Sequence, residues 1–193
     1  MARPERRVPL TLVVCGAGGA GKGSIVAELI QRDPTLWLSR SWTTREQRVG
    51  EPDDAYVYVS PEDFEARIAS GGFLEWARFF EHFYGTPMPD AGPDKDVVLE
   101  IDVQGAVQIR ERDPEALVVL VLPPSREEQR RRMQHRGDDD DHVAKRLAKS
   151  DAEEDIGRTL ADLVIVNDDL DRAATAVQDS LDERRAADAS GSR

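Results

Sequence analysis

The sequence predicts an α/β fold in which a mostly parallel sheet is flanked by helices. Strand patterns alternate with helical patterns along the chain, as in sheets built from strand–helix–strand units. The run Leu117–Leu122 is apolar throughout, which is typical of a strand buried on both faces. With 193 residues, the chain is long enough for one such domain and a small additional lobe.

Each element follows from an apolar run, a capping residue or a breaker. A strand over residues 10–15 leads into a glycine-rich loop and a helix over Lys22–Arg32, which Asp33 and Pro34 end. Ser125 and Glu128 form a capping box that opens a helix through about residue 135. Further strands are predicted over 97–102, Leu117–Leu122 and Leu163–Val166, further helices over Val103–Arg112 and 171–185, and a frayed, disordered tail over 186–193.

Residues 37–95 interrupt this alternation and predict an inserted lobe. They contain every Trp, Tyr and Phe of the chain. Short strands are expected over 56–59 and Phe73–Phe79, and a helix between them begins at Ser60 and Pro61. We therefore expect one domain over 1–193, with residues 8–36 and 96–185 forming its core.

The loop after the first strand matches two phosphate-binding motifs. Gly16, Gly21 and Lys22 fit the P-loop, with Gly23 in the usual place of Ser or Thr, whereas Gly16, Gly18 and Gly21 fit the dinucleotide fingerprint. The fingerprint requires an acidic residue about 20 positions further on, and residues 39–42 are Ser, Arg, Ser and Trp. The sequence therefore favours a P-loop NTPase core, whose loop N–H groups and lysine hold a phosphate.

Composition narrows the possible partners. The formal net charge of -12 disfavours nonspecific binding to nucleic acid. The single cysteine, Cys15, cannot form a disulfide framework, which suits a cytoplasmic protein. No apolar run approaches the length needed to span a bilayer, so we expect no membrane partner. The sequence leaves open whether the protein is a monomer or a homo-oligomer.

Several motifs follow the loop in a specific order. They are Ser-Trp-Thr-Thr-Arg-x-x-Arg-x-Gly-Glu at 41–51, Phe-Leu-Glu-Trp-Ala at 73–77, Tyr-Gly-Thr at 84–86, Glu-Ile-Asp-Val-Gln-Gly at 100–105, Pro-Pro-Ser at 123–125 and Val-Asn-Asp-Asp-Leu at 166–170. In order and spacing, the chain resembles the guanylate kinase family from about residue 10 to residue 182. The resemblance implies Mg²⁺-dependent transfer of a phosphoryl group from ATP to GMP. It also implies a GMP-binding lobe at 37–95 and an arginine lid at 136–145.

The resemblance places ATP on the loop side of the site. Lys22 and the loop amides would hold its β- and γ-phosphates, Ser24 would line the Mg²⁺ position, and Asn167 would lie near its adenine. The implied donor-site residues are Gly16, Ala17, Gly18, Gly19, Ala20, Gly21, Lys22, Gly23, Ser24 and Asn167.

The resemblance places GMP in the inserted lobe. Arg45 and Arg48 would hold its phosphate, because guanidinium groups suit two-point contacts with phosphate oxygens, and Tyr56 and Tyr84 would donate to the same oxygens. Glu75 would recognise guanine, whose adjacent N1–H and N2–H donors adenine lacks. Ser41, Thr86 and Asp102 would lie nearby. The implied catalytic residues are Lys22, Arg45 and the lid arginines Arg132, Arg136 and Arg146.

The sequence departs from the family pattern mainly around the acceptor. The lid is one residue shorter than usual, and aspartates at 138–141 add negative charge where phosphates must meet. One alternative is a related P-loop kinase that acts on another phosphorylated acceptor, such as a sugar. Another is a non-catalytic guanylate-kinase-like module that binds peptides. Such modules tend to lose the loop lysine and lid arginines, both of which this chain retains.

Overall fold

The computed structural model describes residues 9–48, 50–90, 92 and 94–191. In chain order, the elements are β1 (Thr11–Cys15), α1 (Lys22–Arg32), β2 (Leu36–Ser39), β3 (Trp42–Thr43), β4 (Val57–Tyr58), α2 (Pro61–Ala69), β5 (Phe73–Phe79), β6 (His82–Pro87), β7 (Asp96–Glu100), α3 (Val103–Arg112), β8 (Leu117–Leu122), α4 (Arg126–His135), α5 (Asp140–Leu160), β9 (Leu163–Val166) and α6 (Leu170–Gly191). Residue 8 of the predicted core, residues 49, 91 and 93 of the predicted lobe, and residues 192–193 of the predicted tail lie outside the described residues.

The core is a five-stranded parallel sheet in the order β2-β7-β1-β8-β9, which confirms the predicted fold class. The strand before the glycine-rich loop, β1, is central. Val14 of β1 pairs with Glu100 of β7, so the acidic end of β7 lies one strand away from the beginning of the loop. Ligands of open α/β sheets bind at this carboxyl edge of the strands.

Both faces of the core sheet are covered by helices. Leu12 and Val14 of β1 pack in the same buried cluster as residues of α1 and α6. Val13 and Cys15, which alternate with them, pack in a second cluster with residues of α3. The two-residue alternation of a strand thus divides β1 between two hydrophobic layers. No described helix combines the length and apolar character needed to span a membrane.

A smaller sheet in the order β4-β3-β6-β5 forms the inserted lobe. Phe64 of α2 is fully buried beneath it and stacks on Phe73 and Phe83, with ring centroids 4.5 and 5.4 Å away. The structure moves one predicted boundary, because β2 belongs to the core sheet through Ser39. Residues 37–39 are therefore part of the core, whereas the sequence placed them in the lobe.

The C-terminal half contains more helix than the sequence indicated. The last helix, α6, continues to Gly191, so residues 186–191 are helical where a frayed tail was expected. The acidic part of the lid begins α5. Asp139 is its N-cap and accepts a hydrogen bond from the N–H of His142 at 2.8 Å, and Asp140 and Asp141 occupy the first turn. Carboxylates are favourable at a helix N-terminus, which gives three of the four aspartates a structural role.

Candidate active site

The glycine-rich loop lies at the carboxyl end of β1, and its path depends on particular glycines. Gly21 has a φ of 92°, and a Cβ on it would lie 2.2 Å from Nδ2 of Asn167. A Cβ on Gly16 would lie 2.3 Å from the carbonyl oxygen of Val121 on β8. Any other residue at these positions would collide with its neighbours, so glycine allows the loop to approach both β8 and Asn167.

Lys22 begins α1, and its side chain contacts the loop. Its Nζ donates to the carbonyl oxygen of Gly16 at 2.6 Å. Burial lowers the pKa of Lys22, whereas the carboxylates of Glu100 and Asp102 raise it. Burial also raises the pKa of Glu100, against the opposing effects of Lys22 and Arg136. The loop therefore has an ammonium group and a buried carboxylate next to the backbone that was predicted to bind phosphate.

The first turn of α1 offers donors for Mg²⁺. Ser24 is exposed there, next to Gly23. A Cβ on Gly23 would lie 3.4 Å from both carboxylate oxygens of Glu100, so this carboxylate reaches the beginning of the helix. Hydroxyl and carboxylate oxygens are the hard ligands that Mg²⁺ prefers. The oxygens of Ser24 and Glu100 are therefore of the kind that would fit a Mg²⁺ ion.

Asn167 and Arg132 both contact the loop backbone. Nδ2 of Asn167 donates to the carbonyl oxygen of Ala20 at 3.0 Å, and Nη1 of Arg132 donates to the same oxygen at 3.2 Å. Nη2 of Arg132 also donates to the carbonyl oxygen of Asn167 at 3.0 Å. The structure thus brings Asn167, which was predicted to lie near the adenine, and Arg132, which was predicted as a lid arginine, to the loop and joins them to each other.

The second end of the site, opposite the glycine-rich loop, contains a buried carboxylate on β5. Glu75 is 4% exposed, and its Oε1 accepts from the N–H of Thr86 at 3.0 Å and from its hydroxyl at 2.6 Å. A Cβ on Gly105 would lie 2.8 Å from Oε2 of Glu75. Burial raises the pKa of Glu75 to about 7, although the bonds from Thr86 lower it, while Asp102 raises it and Arg112 lowers it. Thr86 therefore fixes one oxygen of Glu75, and the second faces the beginning of α3.

Asp102 lies between the two ends of the site. It caps α3 by accepting from the N–H of Gly105 at 2.8 Å, and its charge acts on both Lys22 and Glu75. Ser41 lies at the edge of the lobe, where its carbonyl oxygen accepts from the N–H of Val57 at 3.0 Å.

Arg45 is held in place by a carboxylate and two phenol rings. Its Nη2 donates to Oε1 of Glu51 at 2.8 Å and its Nη1 to Oε2 at 3.0 Å. The guanidinium carbon lies 5.5 Å from the ring centroid of Tyr56 and 5.8 Å from that of Tyr58. Burial by itself would raise the pKa of Glu51, but Arg45, the N–H of Arg48 and the hydroxyl of Tyr58 lower it to about 2. Glu51 therefore remains ionised and orients Arg45.

The predicted phosphate-binding tyrosines are neighbours. The rings of Tyr56 and Tyr84 are 6.1 Å apart in an edge-to-face arrangement. Burial raises the pKa of Tyr56 to about 12, so its phenol keeps its proton and can donate a hydrogen bond.

One lid carboxylate joins the lobe to the lid. The side chain of Asp138 is buried and only 4% exposed. Its Oδ1 accepts from Nη2 of Arg48 at 2.7 Å, and its Oδ2 accepts from Nη2 of Arg136 at 2.8 Å. The carboxylate thus neutralises two arginines that were predicted to bind phosphate groups.

Arg146 completes the group of cations beside the loop. A Cβ on Gly18 would lie 2.8 Å from Nη1 of Arg146 and 3.8 Å from Nη2 of Arg136. Within the part of the chain that the structure describes, the buried Nε of Arg146 has no hydrogen-bond partner. A buried N–H without a partner is costly, and an anionic oxygen would satisfy it.

Comparison with known proteins agrees with this geometry. The family model described as guanylate kinase matches residues 9–184, which is most of the chain. This chain belongs to the guanylate kinase family. A guanylate kinase from Caldanaerobacter subterraneus is 41% identical over 174 residues, covering 88% of this chain and 84% of that protein. A guanylate kinase from a Synechococcus strain is 39% identical over 183 residues, covering 92% and 96%.

The fold of this family is also found among solved structures. The crystal structure of a guanylate kinase from Anaplasma phagocytophilum superposes with a TM-score of 0.76 at 28% identity, covering 93% of this chain and 87% of that one. Membership in the guanylate kinase family confirms the resemblance, and nothing in the comparisons favours either alternative function.

Sequence reasoning missed three carboxylates of the site, and the first, Glu51, lies within the motif at 41–51 and could have been found there. Glu100 could have been found, because it ends a buried strand and the carboxyl ends of adjacent parallel strands meet. Asp138 could not, because its partner Arg48 is 90 positions away in the sequence and no local pattern links them.

Proposed function

We propose that this protein transfers the γ-phosphoryl group of ATP to GMP with Mg²⁺, giving ADP and GDP. The observation that carries the proposal is the position of the arginines between two anion-binding regions. Arg146 lies against Gly18 of the loop, while Asp138 links Arg136 to Arg48 of the lobe. Phosphoryl transfer between two nucleotides requires such cations between two polyphosphate anions.

The donor end would bind the triphosphate. Lys22 and the loop N–H groups would hold the β- and γ-phosphates, and the N-terminus of α1 would add favourable dipole. Ser24 and Glu100 would hold Mg²⁺, which neutralises charge on the phosphates when it is bound. The amide of Asn167 already bonds the loop, so we propose that Asn167 and Arg132 support the donor phosphates through the loop.

The acceptor end would bind the monophosphate. Oε2 of Glu75 would accept from guanine, with Thr86 fixing the carboxylate and Ser41 and Asp102 nearby. Arg45, Arg48, Tyr56 and Tyr84 would hold the phosphate. An oxygen of that phosphate would attack the γ-phosphorus, the bond to the β–γ bridging oxygen would break, and ADP would leave. Arg136 and Arg146 would neutralise the transferring group.

The cytoplasm supplies both nucleotides, and we propose that the protein acts there. The predicted lack of nucleic-acid binding stays a prediction based on charge, and the oligomeric state remains open.

An acceptor panel tests the proposed function. ADP release would be measured with ATP, Mg²⁺ and GMP, dGMP, AMP, UMP or CMP. We expect activity with GMP and little with AMP, because adenine lacks the two adjacent donors that Glu75 requires. Glu75→Gln should weaken GMP binding and leave ADP binding unchanged. Activity with another acceptor while GMP is inert would refute the proposal.

A further inference from the structure

Side chains donate hydrogen bonds to carbonyl groups along the glycine-rich loop. The carbonyl oxygen of Gly16 accepts from Nζ of Lys22 at 2.6 Å, and that of Ala20 accepts from Nδ2 of Asn167 at 3.0 Å. Between them, the carbonyl oxygen of Gly18 accepts from Nε2 of Gln129 at 2.8 Å. The C=O and N–H groups of one trans peptide unit point in opposite directions. The N–H that follows each held carbonyl therefore points away from the side chain that holds it.

Gln129 is a polar residue in the interior between the loop and the two lid helices. It is fully buried on α4. Besides Gly18, its Nε2 donates to the hydroxyl of Ser150 on α5 at 2.9 Å, and its Oε1 accepts from Nη1 of Arg126 at 2.9 Å. Both amide hydrogens and the amide oxygen thus have partners, so burial of this side chain is compensated.

Those bonds connect Gln129 to the helix that carries Arg146. The hydroxyl of Ser150 donates to the carbonyl oxygen of Arg146 at 2.9 Å. Arg126, which bonds the oxygen of Gln129, also forms an ion pair with Glu154 of α5 at 2.9 Å. Gln129 therefore bonds the loop and the lid helix α5 at the same time, and only its bond to Gly18 reaches the loop backbone directly.

We propose that Gln129 is a positioning residue for the phosphates of ATP. By holding the Gly18 carbonyl, it turns the N–H of Gly19 toward the space where those phosphates bind. The backbone of α4 also packs against the loop on the side away from the proposed phosphate site, since a Cβ on Gly19 would lie 2.8 Å from the carbonyl oxygen of Gln129. This inference rests on the proposed function, because it takes the loop ligand to be the ATP phosphates.

The test compares Gln129→Met with Ser150→Ala. Methionine has nearly the length and flexibility of glutamine but cannot donate to Gly18. ADP and GMP binding would be measured by calorimetry, together with the KM for each substrate, kcat and the melting temperature. We expect Gln129→Met to weaken ADP binding and raise the KM for ATP about 10-fold, as for a lost buried hydrogen bond. GMP binding should stay unchanged. Ser150→Ala leaves the Gly18 bond intact and should bind ADP as the wild type does.

Three outcomes would overturn the proposal. They are wild-type ADP affinity in Gln129→Met, an equal loss of ADP and GMP binding, or an equal loss of ADP binding in Ser150→Ala. The last two would assign Gln129 to packing of the lid helices. If Gln129→Met does not fold, Gln129→Glu measured at a pH of about 8 tests the same point, because an ionised glutamate keeps the acceptor for Arg126 and has no donor for Gly18. Wild-type protein that binds ADP but is inert with GMP would refute the proposed function without touching this inference.

Discussion

Lowering the pH from about 8 to about 5 should weaken GMP binding, because it protonates Glu75. Guanine offers two N–H donors, so it requires an ionised carboxylate as its partner. Burial raises the pKa of Glu75 to about 7, and the nearby charges of Asp102 and Arg112 act in opposite directions. The carboxylate is therefore ionised above this pH and neutral below it, so GMP affinity should rise as the pH rises toward and through neutrality.

The size of the effect follows from that pKa. With a pKa of about 7, about nine tenths of Glu75 is ionised at a pH of about 8 and about one hundredth at a pH of about 5. GMP affinity should then differ about 100-fold between the two conditions from this group alone. The second ionisation of the GMP phosphate, near pH 6, falls in the same range. Glu75→Gln removes the titrating carboxyl and keeps the phosphate, so the ratio of wild-type to variant affinity isolates Glu75.

The ionisation of Glu75 should also make the free energy of unfolding depend on pH. The pKa of Glu75 is raised from 4.5 to about 7 on folding, so the folded state binds more protons between these values and the free energy of unfolding falls as the pH rises through them. Relative to Glu75→Gln, the wild type should lose about 3 kcal/mol across this range. Urea denaturation and GMP calorimetry at both pH values check the two effects. A wild-type to variant affinity ratio that does not change with pH would refute the reasoning.

Three further substitutions test other parts of the site and fold. Lys22→Ala should lower kcat about 100-fold or more while the melting temperature shows a folded protein, and wild-type turnover would contradict the proposed role of this lysine. Asp138→Asn should tighten the binding of GMP and inorganic phosphate, because it removes the carboxylate that competes for Arg48. The control is Asp141→Asn, which changes the charge equally at an exposed position. Equal effects of the two variants on phosphate binding would mean that only net charge matters. Arg185→Met should lower the free energy of unfolding, measured by urea denaturation, by about 3 kcal/mol, because this arginine pairs with the buried carboxylates of Asp33 and Asp96. Arg184→Met should lower it by less than about 0.5 kcal/mol. Similar losses in both variants would disprove the structural role of Arg185.

Elements with strong local patterns could be predicted, and elements defined by neighbours could not. The sequence placed α1, α3, β5, β8 and β9 correctly, because each has a continuous apolar run, an amphipathic pattern or a clear breaker. In contrast, β3 contains only two residues, which are a strand because β4 and β6 lie on either side. The sequence analysis also missed α5. Its buried residues are Val143, Ser150 and Gly157, which do not form the hydrophobic stripe by which a surface helix is recognised.

The site likewise contains residues that a local motif predicts and residues that only the packing of distant segments brings together. A motif identified the loop, Lys22 and the two lobe arginines, because their spacing is local. Glu51, which orients Arg45, is also close in sequence, but other partners are distant: Gln129 contacts Gly18 across 111 positions, and Asp138 contacts Arg48 across 90. Such pairs depend on how helices pack, and a single sequence carries no pattern for that packing.

The acidic lid is compatible with phosphate chemistry because its charges are already engaged. Asp139, Asp140 and Asp141 form the cap and first turn of α5, where a helix N-terminus favours negative charge. Asp138 is the exception, because its carboxylate pairs with Arg48 and Arg136, the two arginines to which the proposed function gives phosphate groups. A phosphate entering between Arg48 and Arg136 would therefore replace one anion by another, and the arginines would not be left unpaired at any stage. Asp138 would thus lower the affinity for phosphate, while the guanidinium groups of Arg48 and Arg136 are already neutralised before nucleotides bind.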